Sequence, residues 1–190
     1  MIAGVDEVGR GPLAGPVVAA AVILPEKILL PGLNDSKKVS PDRRKTLFLE
    51  IISRSSVGIG TVPEKIIDEI NILQATRLAM KQAVLALSRT PTLVLIDGPI
   101  RLALPLPQVS IVRGDAQSAA IAAASIVAKV HRDSFMENLD TRRPGYGFAQ
   151  HKGYPTPDHL EALRLKGPSE FHRMSFRPVA EIFEGGKSGE

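Results

Sequence analysis

An aspartate and a glutamate stand side by side at the end of an apolar segment, and a glycine-rich stretch follows them at once. Asp6 and Glu7 come after the apolar residues 1–5, and another apolar run begins at Gly15. The pair is therefore expected at the edge of a buried sheet, where an unpaired carboxylate is costly. Because neighbouring strand residues point to opposite faces, the two carboxylates share one site only if the strand ends or bulges there.

The residues after the acidic pair favour such a break in the strand. Gly9 and Gly11 flank Arg10, and glycine both permits positive φ angles and lets a ligand approach the backbone closely. The glycine spacing does not match the dinucleotide pattern G-x-G-x-x-G, so a Rossmann-type cofactor site is only weakly indicated.

Length and composition limit the possible architectures. The 190 residues, 44% of them hydrophobic, can bury one good core. The chain has no cysteine, which excludes disulfides, thiolate catalysis and cysteine-bound zinc. We find no apolar run long enough to span a bilayer and no signal peptide, since the N-terminus is itself a predicted strand, and we expect a cytoplasmic protein.

The charge is modest but unevenly distributed. The formal net charge is +4, and positive residues are concentrated in the segments 33–45 and 140–177. Such patches suit a polyanionic partner, although an ordinary solvated surface explains them equally well.

Apolar runs and helical periodicities alternate along the chain and predict an α/β fold. We expect strands at 1–8, 15–24, 56–62, 92–96 and 109–112, the first two antiparallel and the fourth of the buried parallel type. We expect helices at 40–53, from Pro63, at 71–87, from Asp115 to about 139, and near 156–166. The remaining C-terminal residues are expected to form loops and a proline-punctuated tail.

Two further acids lie where strands and helices meet. Asp97 ends a buried strand, a position from which α/β proteins commonly contact ligands, and Asp115 precedes an alanine-rich helix. Taken alone, each could be an ordinary cap or turn residue. Together with Asp6 and Glu7 they form a set of oxygen ligands that suits Mg²⁺ or Mn²⁺ better than zinc.

Asp133 is the rival fifth acid. It lies 18 residues after Asp115 (133 − 115), and a straight helix between them would separate the two by about 27 Å, too far for one metal pair. We expect Asp133 to be a structural charge paired with Arg132 or Lys129, and Lys129 to be a solvated or ion-paired lysine.

The segment Asp6-Glu7-Val8-Gly9-Arg10-Gly11-Pro12 resembles the opening signature of bacterial ribonuclease HII. Further blocks resemble that family in the family's order: 34–38, 71–76, 97–98, 114–115, 122–130, 146–148, 151–154 and 172–176. Two residues depart from the pattern, Pro99 where Asn is frequent and Arg113 where Lys is frequent. The resemblance covers about 170 residues.

The resemblance implies an RNase H-like fold, a mixed β-sheet flanked by helices with a C-terminal helical extension. It divides the chain into a catalytic domain at 1–140, a loop and helical extension packed on it at 141–184, and a flexible tail at 185–190. We expect a monomer.

The activity that the resemblance implies is metal-dependent endonucleolytic hydrolysis of the RNA strand of RNA·DNA hybrids. It includes cutting at single ribonucleotides embedded in duplex DNA and leaves 5′-phosphate and 3′-hydroxyl ends. Asp6, Glu7, Asp97 and Asp115 would be the catalytic carboxylates and would hold two Mn²⁺ or Mg²⁺ ions.

Substrate contacts follow from the same resemblance. Gly9, Arg10 and Gly11 could bring backbone groups to the 2′-hydroxyl that distinguishes RNA from DNA. Tyr154 would stack on the sugar beyond the ribonucleotide, unless it is only a half-buried loop residue. Candidates for phosphate contacts, which set register without reading sequence, are Ser36, Lys37 and Lys152.

Two other classes of function fit the sequence less well. A nucleotide-binding phosphotransferase would need a phosphate-binding loop such as G-x-x-x-x-G-K-[ST], which is absent. A non-catalytic nucleic-acid-binding module would use the basic patches but has no reason to gather four carboxylates that repel DNA.

Overall fold

Five strands form one mixed β-sheet in the computed structural model, which describes residues 1–28, 30–33, 36 and 39–187, with only the backbone of 185–187. The strands are β1 (Ile2–Val8), β2 (Val17–Ile23), β3 (Ser56–Val62), β4 (Leu93–Asp97) and β5 (Gln108–Ile111). Their order across the sheet is β3-β2-β1-β4-β5. β1 pairs antiparallel with β2 and parallel with β4. The C-terminal ends of β1 and β4 therefore lie at the same edge of the sheet.

The described residues also form six helices, of which the first three pack on the sheet. They are α1 (Pro41–Arg54), α2 (Glu64–Leu85), α3 (Ala119–Arg142), α4 (Phe148–His151), α5 (Pro157–Lys166) and α6 (Arg177–Lys187), with a 3₁₀ turn at Gly114–Ala116. No helix in the described part of the chain is both long and apolar enough to cross a membrane.

The inner strand β2, between β3 and β1, is buried on both faces, and its side chains alternate between two cores. Val17, Ala19 and Ala21 face α2, together with Val5 of β1. The intervening Val18 and Ala20 face α1 and α3 on the other side. This alternation follows from the two-residue period of a strand and makes the fold a sheet between two helical layers.

Small residues bring α3 unusually close to β1. A Cβ atom on Gly4 would lie 2.1 Å from the backbone of Ala120, so no larger residue fits at this crossing. Gly4 and Asp6 lie on the same face of β1 because they are two residues apart. The close approach therefore brings the acidic end of β1 against the next turns of α3.

The predicted elements are largely confirmed, including the α1 start at Ser40, whose side chain accepts a hydrogen bond from the Arg43 N–H. The expected boundary between two helices near Asn71 is also present, as a kink in α2. Asn71 has φ 66°, and its Oδ1 accepts hydrogen bonds from the N–H groups of Leu73 (3.0 Å) and Gln74 (3.1 Å). The side chain thus caps the second half of the helix.

Two predictions in the C-terminal half were wrong. Asp115 does not begin the long helix: it lies in the 3₁₀ turn, and α3 starts at Ala119 after Ser118. The proline-punctuated tail, where no helix was assigned, contains the amphipathic helix α6, which buries Val179 beside Leu13 and Leu163.

The division of the chain near residue 140 stays a prediction. α3 continues through this position to Arg142 and packs against α4. Of the expected flexible tail, 185–187 belong to the α6 backbone, and 188–190 lie outside the described residues.

Candidate active site

Four acidic side chains from separate parts of the sequence line one cavity of about 150 Å³. They come from the end of β1, the end of β4 and the 3₁₀ turn before α3. The lining residues are Asp6, Glu7, Val8, Ser36, Asp97, Asp115, Ser125, Lys129 and Tyr154. The structure therefore brings together all four carboxylates that the sequence singled out.

The adjacent Asp6 and Glu7 reach the same cavity because β1 ends just after them. The strand stops at Val8, and Gly9 turns the chain with a φ of 94°. Asp6 is buried, and its Oδ1 accepts a hydrogen bond of 2.7 Å from the Glu7 N–H. Glu7 Oε1 accepts one of 3.4 Å from Nη1 of Arg10, so the first residue beyond the turn partly neutralises the pair.

Asp97 fixes the position of the turn that carries Asp115. Its Oδ1 accepts a 2.6 Å hydrogen bond from the N–H of Gly114, the residue directly before Asp115. Gly114 is buried, and a Cβ atom there would lie 2.5 Å from Cδ1 of Ile121. The fourth carboxylate is thus held beside the third by a backbone contact.

Burial and mutual repulsion disfavour negative charge in this cavity. The pKa of Asp6 is raised well above its ordinary value, first by burial and then by the charges of Glu7 and Asp97. Burial also raises the pKa of Glu7, and the charge of Arg10 opposes this effect. A cation in the cavity would relieve the repulsion between these carboxylates.

The donor set fits a hard divalent ion. Mg²⁺ and Mn²⁺ prefer the oxygen ligands that Asp6, Glu7, Asp97 and Asp115 offer. As the side chains stand, no group of three or more His, Cys, Asp or Glu within the described residues is arranged to hold a metal ion. The four carboxylates share a cavity, and a metal would require their side chains to draw closer.

Two residues of α3 complete the cavity wall. Oγ of Ser125 lies 2.9 Å from Oγ of Ser36, within hydrogen-bond distance, and Ser125 also hydrogen-bonds to Asp6. Lys129 lies one turn further and forms a 2.9 Å ion pair with Asp133, which confirms the expected structural pairing of Asp133. Ser125 was missed as a site residue; its only sequence signal is a hydroxyl within an alanine-rich buried helix.

Two arginines that are fully buried hold the glycine-rich loop between β1 and β2. Arg132 donates to the carbonyls of Pro16 (2.9 Å), Lys152 (2.9 Å) and Ala14 (3.0 Å). Arg173 donates to the carbonyls of Gly9 (2.6 Å), Arg10 (3.0 Å) and Gly15 (3.0 and 2.7 Å). Since Asp133 pairs with Lys129, the alternative partner Arg132 is free for this separate role.

Tyr154 stands at the rim of the cavity, beside the glycine-rich loop. Its side chain is 38% exposed, and a Cβ atom on Gly11 would lie 3.7 Å from its Cε1 atom. The preceding Gly153 carbonyl accepts a 2.7 Å hydrogen bond from the Leu13 N–H, which ties the two loops together. The predicted sugar-reading residues Gly9, Arg10, Gly11 and Tyr154 are therefore neighbours in space.

The three residues predicted to contact phosphates do not lie together in the described structure. Ser36 lines the cavity, whereas Lys37 lies outside the described residues. Lys152 is turned away from the cavity: its ammonium group donates to Oε1 of Glu137 at 2.8 Å. A phosphate contact by Lys152 requires this ammonium to leave Glu137.

A second polar cluster lies behind Tyr154 and contains two buried histidines, His159 and His172. Their Nε2 atoms are 3.0 Å apart, and Nδ1 of His159 is 2.9 Å from the Tyr154 carbonyl oxygen. Burial lowers the pKa of each to about 4.

Comparison with known proteins identifies relatives over nearly the whole chain. The sequence profile of the Ribonuclease HII family matches residues 3–179. Ribonuclease HII of Geobacillus kaustophilus is 55% identical over 184 residues, which is 96% of this chain and 70% of that protein. Ribonuclease H2 of Pyrococcus horikoshii superposes with a TM-score of 0.83 at 26% identity over 99% of both chains. Bst-RNase HIII, solved in complex with Mn²⁺, has a TM-score of 0.70 over 98% of this chain and 70% of its own. At 19% identity, it supports the fold alone.

The buried histidine pair predicts acid sensitivity of the fold. The unfolded chain binds protons at these histidines below pH about 6.5, whereas the folded chain binds them only near pH 4. The pair's contribution to stability is therefore complete above pH 6.5 and is lost as the pH falls towards 4, by up to roughly 3 kcal/mol per histidine. Urea unfolding at a series of pH values measures this loss.

The carboxylates of the cavity, whose folded pKa values are raised, change stability in the opposite direction, so a variant is needed to isolate the histidines. His172→Gln should lose less stability than the parent between pH 6.5 and 4. Identical pH slopes for the two proteins would show that His172 binds a proton in the folded chain as readily as in the unfolded chain.

Proposed function

Because this chain belongs to the ribonuclease HII family, we propose that it hydrolyses the RNA strand of RNA·DNA hybrids and cuts 5′ of single ribonucleotides in duplex DNA. The products are 5′-phosphate and 3′-hydroxyl ends. The ribonuclease H activity follows from the family. The observation that supports the finer proposal is the single cavity lined by four carboxylates and by Tyr154, an exposed residue that lies next to Gly11.

The carboxylates Asp6, Glu7, Asp97 and Asp115 would hold two divalent ions, Mn²⁺ or Mg²⁺. Such ions, when bound, supply an activated water and stabilise the charge that develops on the leaving oxygen. The protein positions its ligands from separate elements: β1 carries the first two, β4 carries Asp97, and Asp97 in turn holds the turn of Asp115. A single chain supplies all four, so we propose that a monomer is active.

Selection of RNA would come from the backbone of the glycine loop. Gly11 is exposed and lacks a side chain, so its backbone is accessible in a gap beside the Tyr154 ring, where a Cβ atom would lie 3.7 Å from Cε1. A sugar in this gap would meet backbone groups of Gly9 to Gly11 with its 2′-hydroxyl, and the tyrosine ring would stack on the sugar that follows. Cutting at a single ribonucleotide needs both contacts, because only one 2′-hydroxyl is present.

Contacts to phosphates would set the register of the duplex. Ser36 lies inside the cavity, and Lys152 stands on the same loop as Tyr154. Lys37 follows Ser36 in the sequence. We propose these three residues as phosphate ligands, with Lys152 exchanging its Glu137 partner for the nucleic acid.

The carboxylates should be essential to catalysis and unnecessary for folding. We expect Asp6→Asn or Asp97→Asn to lower the rate of hybrid cleavage by roughly 10³-fold, about 4 kcal/mol of barrier, because a neutral amide is a poor ligand for a divalent ion. Asp6→Asn should not lower the free energy of unfolding, since it removes a buried charge repelled by its neighbours. Cleavage should proceed with Mn²⁺ or Mg²⁺, fail with Ca²⁺ and stop in excess EDTA.

Asp133→Asn is the matched control, because Asp133 lies near the site but outside the cavity. Loss of its ion pair with Lys129 should reduce the rate by about fivefold at most, since such pairs contribute up to about 1 kcal/mol. The assignment fails if Asp133→Asn is as inactive as Asp97→Asn, or if full activity persists in EDTA.

Tyr154 and Gly11 should affect single ribonucleotides more than long hybrids, where the cut can be placed at many positions. Tyr154→Phe keeps the ring and should retain most activity, whereas Tyr154→Ala should lower kcat/KM chiefly on the single-ribonucleotide duplex. Gly11→Ala should act in the same direction by filling the gap for the sugar. The measurement is the ratio of kcat/KM values on the two substrates, and an equal loss on both would remove the reading role of Tyr154.

A further inference from the structure

His159 and His172 form a chain of hydrogen bonds that ends on the main chain of Tyr154. The Ser169 N–H donates to Nδ1 of His172 at 2.9 Å, and the two Nε2 atoms of the histidines are 3.0 Å apart. Nδ1 of His159 lies 2.9 Å from the Tyr154 carbonyl. A backbone N–H only donates and a carbonyl only accepts, so the direction of every bond is fixed.

This direction allows one arrangement of protons. His159 carries its proton on Nδ1 and donates it to Tyr154, so its Nε2 atom must accept the proton that His172 carries on Nε2. A second proton on His159 would place two N–H groups against each other at 3.0 Å, and a second proton on His172 would face the Ser169 N–H at 2.9 Å. Both rings are therefore neutral, in keeping with burial that lowers both pKa values to about 4.

A third histidine fixes the residues before Tyr154. The His151 ring stacks on that of His159, with centroids 4.2 Å apart and an angle of 14° between the planes. Its Nδ1 accepts a 3.1 Å hydrogen bond from the Gly153 N–H. Since the Gly153 carbonyl also binds the glycine-rich loop through Leu13, the histidines connect that loop to the loop of Tyr154.

The burial of this chain argues for a role beyond packing. His159 and His172 are 0% and 2% exposed, and well-packed apolar residues of similar volume are often as stabilising as buried polar groups. Unlike apolar packing, the hydrogen-bonded histidines fix an orientation. A hydrogen bond to the Tyr154 carbonyl orients that peptide group and thus constrains the Tyr154 side chain.

We infer that His159 and His172 are positioning residues for substrate selection, which hold the Tyr154 ring at the rim of the acidic cavity. This inference rests on the proposed reading role of Tyr154. The histidines themselves contact no cavity residue other than Tyr154 among the hydrogen bonds of the described residues.

Two polar variants of His159 separate positioning from packing. His159→Asn keeps an N–H donor at the place of Nδ1 and so retains the bond to Tyr154, whereas His159→Gln keeps a polar atom near Nε2 and loses that bond. The quantity compared is the ratio of kcat/KM on a single-ribonucleotide duplex to kcat/KM on a long hybrid. We expect this ratio to fall about tenfold in His159→Gln and less than about fivefold in His159→Asn. Circular dichroism and the thermal midpoint show that both variants are folded.

A double variant tests whether the effect acts through Tyr154. In a Tyr154→Ala background, His159→Gln should lower the ratio no further, because the ring that it positions is already gone. If the two changes multiply, His159 acts on the fold in general and the inference is wrong. Equal ratios in His159→Asn and His159→Gln would overturn it as well.

Tyrosine fluorescence gives a readout without catalysis. The chain has no tryptophan and two tyrosines, so Tyr146→Phe, which keeps the ring stacked on Phe148, leaves Tyr154 as the single emitter. In this background His159→Gln should raise the acrylamide quenching of Tyr154 more than His159→Asn does. Equal quenching in all three proteins contradicts the inference.

The same ratio distinguishes a failure of the proposed function from a failure of the positioning role. If Tyr154→Ala keeps the parent ratio, the reading role of Tyr154 is wrong and this inference falls with it. If Tyr154→Ala lowers the ratio while both His159 variants keep it, the proposed function stands and only the positioning role is lost.

Discussion

The architecture of the candidate site depends on two buried arginines and the carbonyl groups they bind. Arg132 from α3 and Arg173 from the segment before α6 together make seven hydrogen bonds to main-chain oxygens, six of them in the loop Gly9–Pro16. Burial lowers their pKa values to about 10 and 9, so both stay charged at neutral pH. A buried charge is costly, and here fixed carbonyl dipoles and the acids Glu64 and Asp68 offset that cost.

The loop held in this way joins the two functions of the site. Its first residues end β1 and direct Asp6 and Glu7 into one cavity, and its next residues form the surface beside Tyr154. Arg132 also binds the carbonyl of Lys152, so the same side chain fixes the second loop. The carboxylates and the proposed sugar-reading residues are therefore parts of one connected frame.

Features that depend on local chemistry could be predicted from the sequence. The four carboxylates follow strand ends or precede a helix, and Asn71 marks a helix break through its own capping side chain. Features that depend on contacts between distant parts of the sequence could not be predicted. Arg132 and Arg173 have ordinary sequence surroundings, and their partners lie 116 to 164 residues away, apart from Lys152. The pairing of Lys152 with Glu137 is equally invisible before the fold brings the two together.

The role of the two buried arginines is tested most directly by the activity of Arg173→Lys on an RNA·DNA hybrid. Lysine keeps the charge but loses the planar group that binds three carbonyls at once, so the loop shifts although Arg173 is not among the residues that line the cavity. We predict that kcat/KM falls roughly 10²-fold in a folded protein, because a displacement of reacting groups by about 1 Å has a cost of that size. Arg164→Lys, at an exposed arginine of α5, should leave it unchanged. Full activity of a folded Arg173→Lys protein would contradict the central role of the arginines.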